Sequence, residues 1–289
     1  LIGRDFGPAW VLRNTGSSFE VHGQDAGLAA FSHSMGWGIG DFDRDGDFDL
    51  IDSDAGPQHL YLRAGKQGCG PLQFTEAAAK WNLQGATWGV SAWSPLVADF
   101  DHDGRDDVYL GLSANLADKQ LIEVGHCNGS LPAKVQPQFD LFLRNDGGTF
   151  AAHRGVAVDK PEVMIAQVAQ STIDLDADGD LDIIQVLSNR RVRVLRNDLE
   201  KKGPAVTLRL VGTAANPLAF GARIDATIAG KTTLRYLGNS GFGGTAWTRV
   251  HIGLGGAKQV DQAVIRWPDG KATVVKNIKP GTAAVIKAP

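Results

Sequence analysis

The sequence predicts an all-β fold made of a series of small antiparallel sheets, and three observations predict it. An acidic nine-residue pattern occurs three times, each time between short apolar runs of strand length. A strand that closes on Leu-Arg and a turn recurs out of phase with that pattern. Glycine is abundant, at 36 of 289 residues, which favours tight turns over long helices.

The acidic copies read DFDRDGDFD from Asp41, DFDHDGRDD from Asp99 and DLDADGDLD from Asp174. The runs that follow them, such as Val108-Tyr109-Leu110 and Ile183-Ile184, are β-branched or aromatic and too short for helices. The second element reads VLRNTG at Val11, LYLRAG at Leu60, LFLRNDGG at Leu141 and VLRND at Val194. Asn-Thr-Gly and Asn-Asp-Gly tolerate positive φ and suit hairpin turns. Strand, acidic loop, strand and hairpin make one small antiparallel sheet. Repeated at roughly 40–60 residues, such sheets suggest propeller blades. Phe74 to Leu83 is the best helical candidate, and a short one.

The repeat stops after Asn197. Asp198 to Pro204 is charged, ends in Gly-Pro and reads as a linker. A different β-rich segment follows, with a hairpin signal at Trp267-Pro268-Asp269-Gly270. The expected organisation is therefore propeller blades over 1–203 and a small β-sandwich-like domain over 204–289.

In each loop the pattern is D-x-D-x-D-G-x-x-D, which suits calcium, a hard cation taking roughly six to eight oxygens at about 2.3–2.6 Å. Acids at positions one, three, five and nine can point at one centre, glycine at six permits the sharp turn, and the carbonyl at seven can face inward. The first site would use Asp41, Asp43, Asp45, the Asp47 carbonyl and Asp49. The second would use Asp99, Asp101, Asp103, the Arg105 carbonyl and Asp107, with the Arg105 side chain free to point to solvent and His102 facing out. The third would use Asp174, Asp176, Asp178, the Asp180 carbonyl and Asp182. Three calcium ions are expected, in a structural role. An EF-hand asks for Glu at position twelve and flanking helices; here that position is Asp52, Leu110 and Gln185, and the flanks are strands. Magnesium prefers to keep several waters and fits less well.

These loops, the Leu-Arg-Asn turns and the stretch from Phe19 to Leu28 resemble the FG-GAP and VCBS repeats of integrin-α-like propellers. The resemblance implies a seven-bladed ring with calcium between the first two strands of a blade. The segments from Gly221, Gly238 and His251 resemble an ASPIC/UnbV domain, and the two parts together resemble the cartilage-acidic-protein-like family. That likeness implies an extracellular setting and a binding role. Three loops and a leading half-blade do not close seven blades, so N-terminal blades are expected to be missing from this chain, either absent or carried on a separate one. The start at Leu1 reads as a processed or incomplete N-terminus.

Other signals narrow the function classes. Net charge is −3 and Lys and Arg are scattered, so a nucleic-acid partner is not expected. No run of about 18 apolar residues occurs, so no membrane span is expected. Cys69 and Cys127 allow one disulfide, which would suit an oxidising compartment, or two free thiols. Asn128-Gly129-Ser130 fits the glycosylation sequon. Ser240 does not sit in a nucleophile elbow. Trp37, Trp88 and Trp93 precede acidic loops; packing between blades is favoured over stacking on sugar rings. The resulting expectation is a secreted, periplasmic or cell-surface binding module for a protein or glycan, with no catalytic residues assigned. The alternatives are an enzyme acting on polysaccharide or a secondary metabolite, with Glu76, Glu123 or Asp140 as its carboxylates, and a surface-layer or fibre component.

Overall fold

The computed structural model describes residues 1–28, 30–63, 72–87, 91–112, 140–154, 167–187, 191–200, 203–238, 249–281 and 283–289. Cys69, Trp88, Glu123, Cys127, the sequon at 128–130 and Ser240 lie outside them. The fold is all-β. Strand β1 (Asp5–Gly7) leads into a hairpin of β2 (Val11–Asn14) and β3 (Phe19–His22). A sheet follows from β4 (Ser32–Gly40), β5 (Asp49–Asp54), β6 (His59–Arg63) and β7 (Phe74–Glu76), with β1 added beside β4. One helical turn, α1 (Leu83–Ala86), precedes the next sheet of β8 (Ala92–Ala98), β9 (Asp107–Leu112), β10 (Leu141–Asn145) and β11 (Phe150–Arg154). The third sheet holds β12 (Gln167–Ile173), β13 (Asp182–Leu187) and β14 (Val192–Leu195).

Neighbouring strands within these three sheets are antiparallel, and each acidic loop joins β4 to β5, β8 to β9 or β12 to β13. The expected turns are present. Asn145 pairs with Phe150 across a hairpin in which Gly147 and Gly148 have φ of 81° and 110°. The helix expected over Phe74 to Leu83 is not formed there. Phe74-Thr75-Glu76 extends to pair with β6, Asn82 turns left-handed at φ 59°, and the helical turn begins one residue later. Edge pairing of β7 thus outweighs the alanine-rich local preference.

Successive sheets pack face to face. Ile51 and Leu60 meet Val108, Leu110, Leu141, Leu143 and Phe150 in one cluster. Leu96, Phe100 and Tyr109 meet Leu181 and Ile183 in the next. Strands β5 and β9 are consequently buried at every position, not on alternate ones, because both faces are covered. Trp37 packs with Leu50 and Tyr61 of its own sheet, its ring 6.1 Å from that of Tyr61.

The described residues from 203 onward make two further sheets around one core. The first contains β15 (Ala205–Val211); the second, β16 (Ala222–Ile228) and β17 (Lys231–Leu237). Strand β18 (Arg249–Gly253) joins β15, while β19 (Val260–Arg266) and β20 (Ala272–Ile278) extend the sheet from β16. Strand β21 (Ala283–Lys287) closes the first sheet in parallel with β15. Strand β16 buries every second residue, as a strand with one core face should. Leu208, Ile224, Ile252 and Ile265 are fully buried in the shared core, each contributing about 1.5–3 kcal/mol. The Trp267–Gly270 hairpin forms as expected, with Gly270 at φ 85°.

Candidate metal centres and their cover

The three acidic loops share one backbone. Position four is left-handed in each, at Arg44, His102 and Ala177, with φ of 59°, 60° and 62°. Glycine at position six follows at 88°, 89° and 96°. The side chains repeat a ladder of turns: the position-five amide donates to the position-three carboxylate, and the position-seven amide to the position-five carboxylate. The first set runs from Asp45 to Asp43 at 3.2 Å, Asp103 to Asp101 at 3.2 Å and Asp178 to Asp176 at 3.4 Å. The second set runs from the amides of Asp47, Arg105 and Asp180, at 2.8, 2.8 and 3.0 Å.

The loops bring carboxylates together. One oxygen each from Asp41, Asp43 and Asp45 lie within 4.8 Å of one another, as do those of Asp99, Asp101 and Asp107, and of Asp174, Asp176 and Asp178. Position nine has a second task. Asp49, Asp107 and Asp182 each accept the position-two amide on one oxygen, at 2.9, 3.1 and 2.9 Å. On the other oxygen they accept the amides of Arg63, Asn145 and Asn197, at 2.9, 2.8 and 2.8 Å. Each position-nine acid therefore ties its loop to the end of the third strand of its own sheet. Among the described residues only Asp107 of these position-nine acids also joins a three-oxygen side-chain group; the carboxylates of Asp49, Asp103 and Asp182 do not.

Two atoms mark the centres as fit for a cation. Asp99 Oδ1 and Asp174 Oδ1 are buried and accept no hydrogen bond among the described residues. Burial pushes the Asp99 carboxyl up to about 8, Asp107 to about 9, Asp49 to about 8 and Asp41 to about 6. A carboxylate driven upward by desolvation is one that a bound cation would hold ionised. An all-oxygen donor set suits a hard cation.

Two side chains depart from the sequence expectation. His102 does not face out. It is buried, 3 % exposed, with its ring 4.7 Å from His251 and Nδ1 2.9 Å from the Gly203 carbonyl. Arg105 does not point freely to solvent. It donates to the Asn145 carbonyl at 3.0 Å and pairs with Asp103 at 3.1 Å. In both cases a neighbouring element covers the loop, the C-terminal sheets for His102 and the β10 hairpin for Arg105.

Sequence reasoning missed Asp106 and Arg235. Asp106 Oδ2 accepts the Asp41 amide at 3.0 Å, joining the first two loops. Arg235 Nη1 lies 3.0 Å from Asp106 Oδ1. The available signal was position eight, which is Phe48 and Leu181 in the other loops and an acid only here. Beside this junction a cleft of about 80 Å³ runs between β4, β8 and the C-terminal sheets, lined by Ile39, Phe48, Arg235, Tyr236, Arg249 and His251 among others. Burial keeps His251 neutral, down at about 3, and neither ring nitrogen has a hydrogen-bond partner among the described residues.

A second acidic group lies at the far end of β5. Asp52 accepts from Ser34 Oγ at 2.6 Å, and burial pushes it up to about 7. Asp54 and His59 act on it electrostatically, and Glu76 pairs with His59 at 3.8 Å. Asp140 is held by Tyr109 Oη, the Leu112 amide and Gln185, at 3.0, 3.0 and 2.8 Å. These bonds use Asp140 to join sheets.

Among the described residues no helix is long and apolar enough to cross a membrane. Among curated proteins none matches this chain. Residues 212–289, which hold most of the two C-terminal sheets, match the family model for ASPIC and UnbV.

Proposed function

We propose that the chain is a calcium-stabilised, extracytoplasmic binding module. Its three blade-like sheets form part of an FG-GAP/VCBS propeller, to which the ASPIC/UnbV-type segment is attached. The observation that carries the reading is the threefold identity of the acidic loops, down to left-handed residues at position four, together with the unsatisfied buried oxygens at Asp99 and Asp174. Each ion would be held by side chains at positions one, three, five and nine and by the position-seven carbonyl. An ion at a free concentration of about a hundred times its Kd would add about 2.7 kcal/mol per site.

A binding role is supported by exposed apolar residues at the first sheet and hairpin. Phe6, Phe19 and Phe31 are each more than 60 % exposed, and Arg4 lies over the Trp10 ring. Exposed aromatics, with Phe6 and Phe31 both edge-on to the His33 ring, suit a protein or glycan partner, including a separate chain bearing further blades. Glycan and protein arrays run with a turnover assay on every hit test this. Saturable binding without product supports the module, and release of product from any polysaccharide overturns it in favour of an enzyme.

A further inference from the structure

We infer that the C-terminal unit is a cover for the first two acidic loops, so that cation binding there and docking of that unit reinforce each other, while the third loop binds its cation independently; this rests on the calcium reading above. Strand β17 supplies the closest contacts. The Leu234 amide donates to Asp41 Oδ2 at 3.1 Å, and the next residue, Arg235, reaches Asp106 and comes within 3.9 Å of Asp99 Oδ2. Strand β18 approaches loop two so closely that a Cβ on Gly253 would collide with the Asp99 carboxylate. The Gly255 amide donates to the His102 carbonyl at 2.7 Å, and Arg223 Nη2 to the Gly46 carbonyl at 3.3 Å.

Charge decides the sign of the coupling. In the docked arrangement Asp41 and Asp99 are almost completely buried, at 0 % and 1 % exposed, beside the buried Asp106. Arg235 is one positive charge among these three carboxylates, and Asp99 Oδ1 still has no donor among the described residues. A buried carboxylate left without a partner is costly, so the docked state without a cation is penalised. A divalent ion in loops one and two removes that penalty, and linkage requires that docking in turn tighten the ion. In the third loop Asp174 Oδ1 also lacks a donor among the described residues, but Asp176 and Asp178 are exposed, and the C-terminal contacts of Leu234 and Arg235 fall on the first two loops.

The Leu234 amide is a direct reporter, because its acceptor is a loop-one carboxylate. Hydrogen exchange on the full chain compares saturating calcium with excess chelator, and then the Asp43→Ala, Asp101→Ala and Asp176→Ala variants in calcium. Leu234 is expected to exchange about tenfold faster or more in chelator and in the first two variants. No change is expected in Asp176→Ala, and the β16–β19 amides should stay protected throughout. Should a variant fail to fold, the chelator comparison on the wild-type chain decides. Unchanged Leu234 exchange in a chain that calorimetry shows to bind calcium overturns this inference alone. Equal acceleration in all three variants overturns it too. Absence of any calcium binding overturns the calcium reading and this inference with it.

Discussion

The Asn145 side-chain amide donates to the Phe42 carbonyl at 2.9 Å, linking residues 103 apart in sequence. It also donates to the Asp106 carbonyl at 3.1 Å. One sheet on, Asn197 repeats the contact with the Phe100 carbonyl at 3.0 Å. The Leu-Arg-Asn turn is thus a fastener: its asparagine holds position two of the preceding sheet's acidic loop. Where this cover is present, position two is buried, as at Phe42 and Phe100. At Leu175 in the third loop it is 53 % exposed.

Asn145→Ala should cost about 1–3 kcal/mol, since it strands buried carbonyls that lose their donor. Asn197→Ala should cost less, because Asn197 is partly solvated. Urea unfolding of both variants checks the order. Equal losses would contradict the fastener role.

The loop backbone makes its own forecast. Ala177 is exposed and sits at φ 62°, a conformation that costs an alanine about 1 kcal/mol. Ala177→Gly should relieve it and tighten the third loop for its ion. Gly179→Ala should do the reverse by a similar amount. That position has φ 96°, and a methyl group there would meet no atom within 4 Å, so the loss is purely conformational. Calcium titration of the two variants against wild type reads both effects.

Asp52 should make stability pH-dependent. Its carboxyl rises from 3.8 to about 7 on folding, with burial the chief cause. The folded state therefore holds this proton more tightly than the unfolded chain. The resulting stabilisation is full below about pH 4 and is lost as pH rises through about 7. Asp54 and His59 act on the same site, and His59 is also raised, which works in the same direction. Asp52→Asn should measurably flatten the fall in urea midpoint across that window. An unchanged slope would show that Asp52 is not the group responsible.

Much of this architecture is legible in the sequence. The tripled acidic pattern locates the loops, and Asn-Asp-Gly and Pro-Asp-Gly locate hairpins, because those signals depend on local backbone geometry. The buried His102, the Asp106–Arg235 pair and the contact of Asn145 with Phe42 are not legible in that way. Each depends on segments about 100 or more residues apart, which no local periodicity records. The two amide bonds to each position-nine acid fall between these cases. The acid is visible in the motif, but its link to the third strand exists only once the sheet is formed.

The central claim is that the acidic loops hold calcium. Native mass spectrometry of the intact chain, equilibrated with calcium and then exchanged into volatile buffer, counts the ions directly. Three per folded chain are expected, falling to two in Asp43→Ala, Asp101→Ala or Asp176→Ala when the other loops stay filled. A chain that retains no calcium, with the same melting temperature in calcium and in chelator, would contradict it.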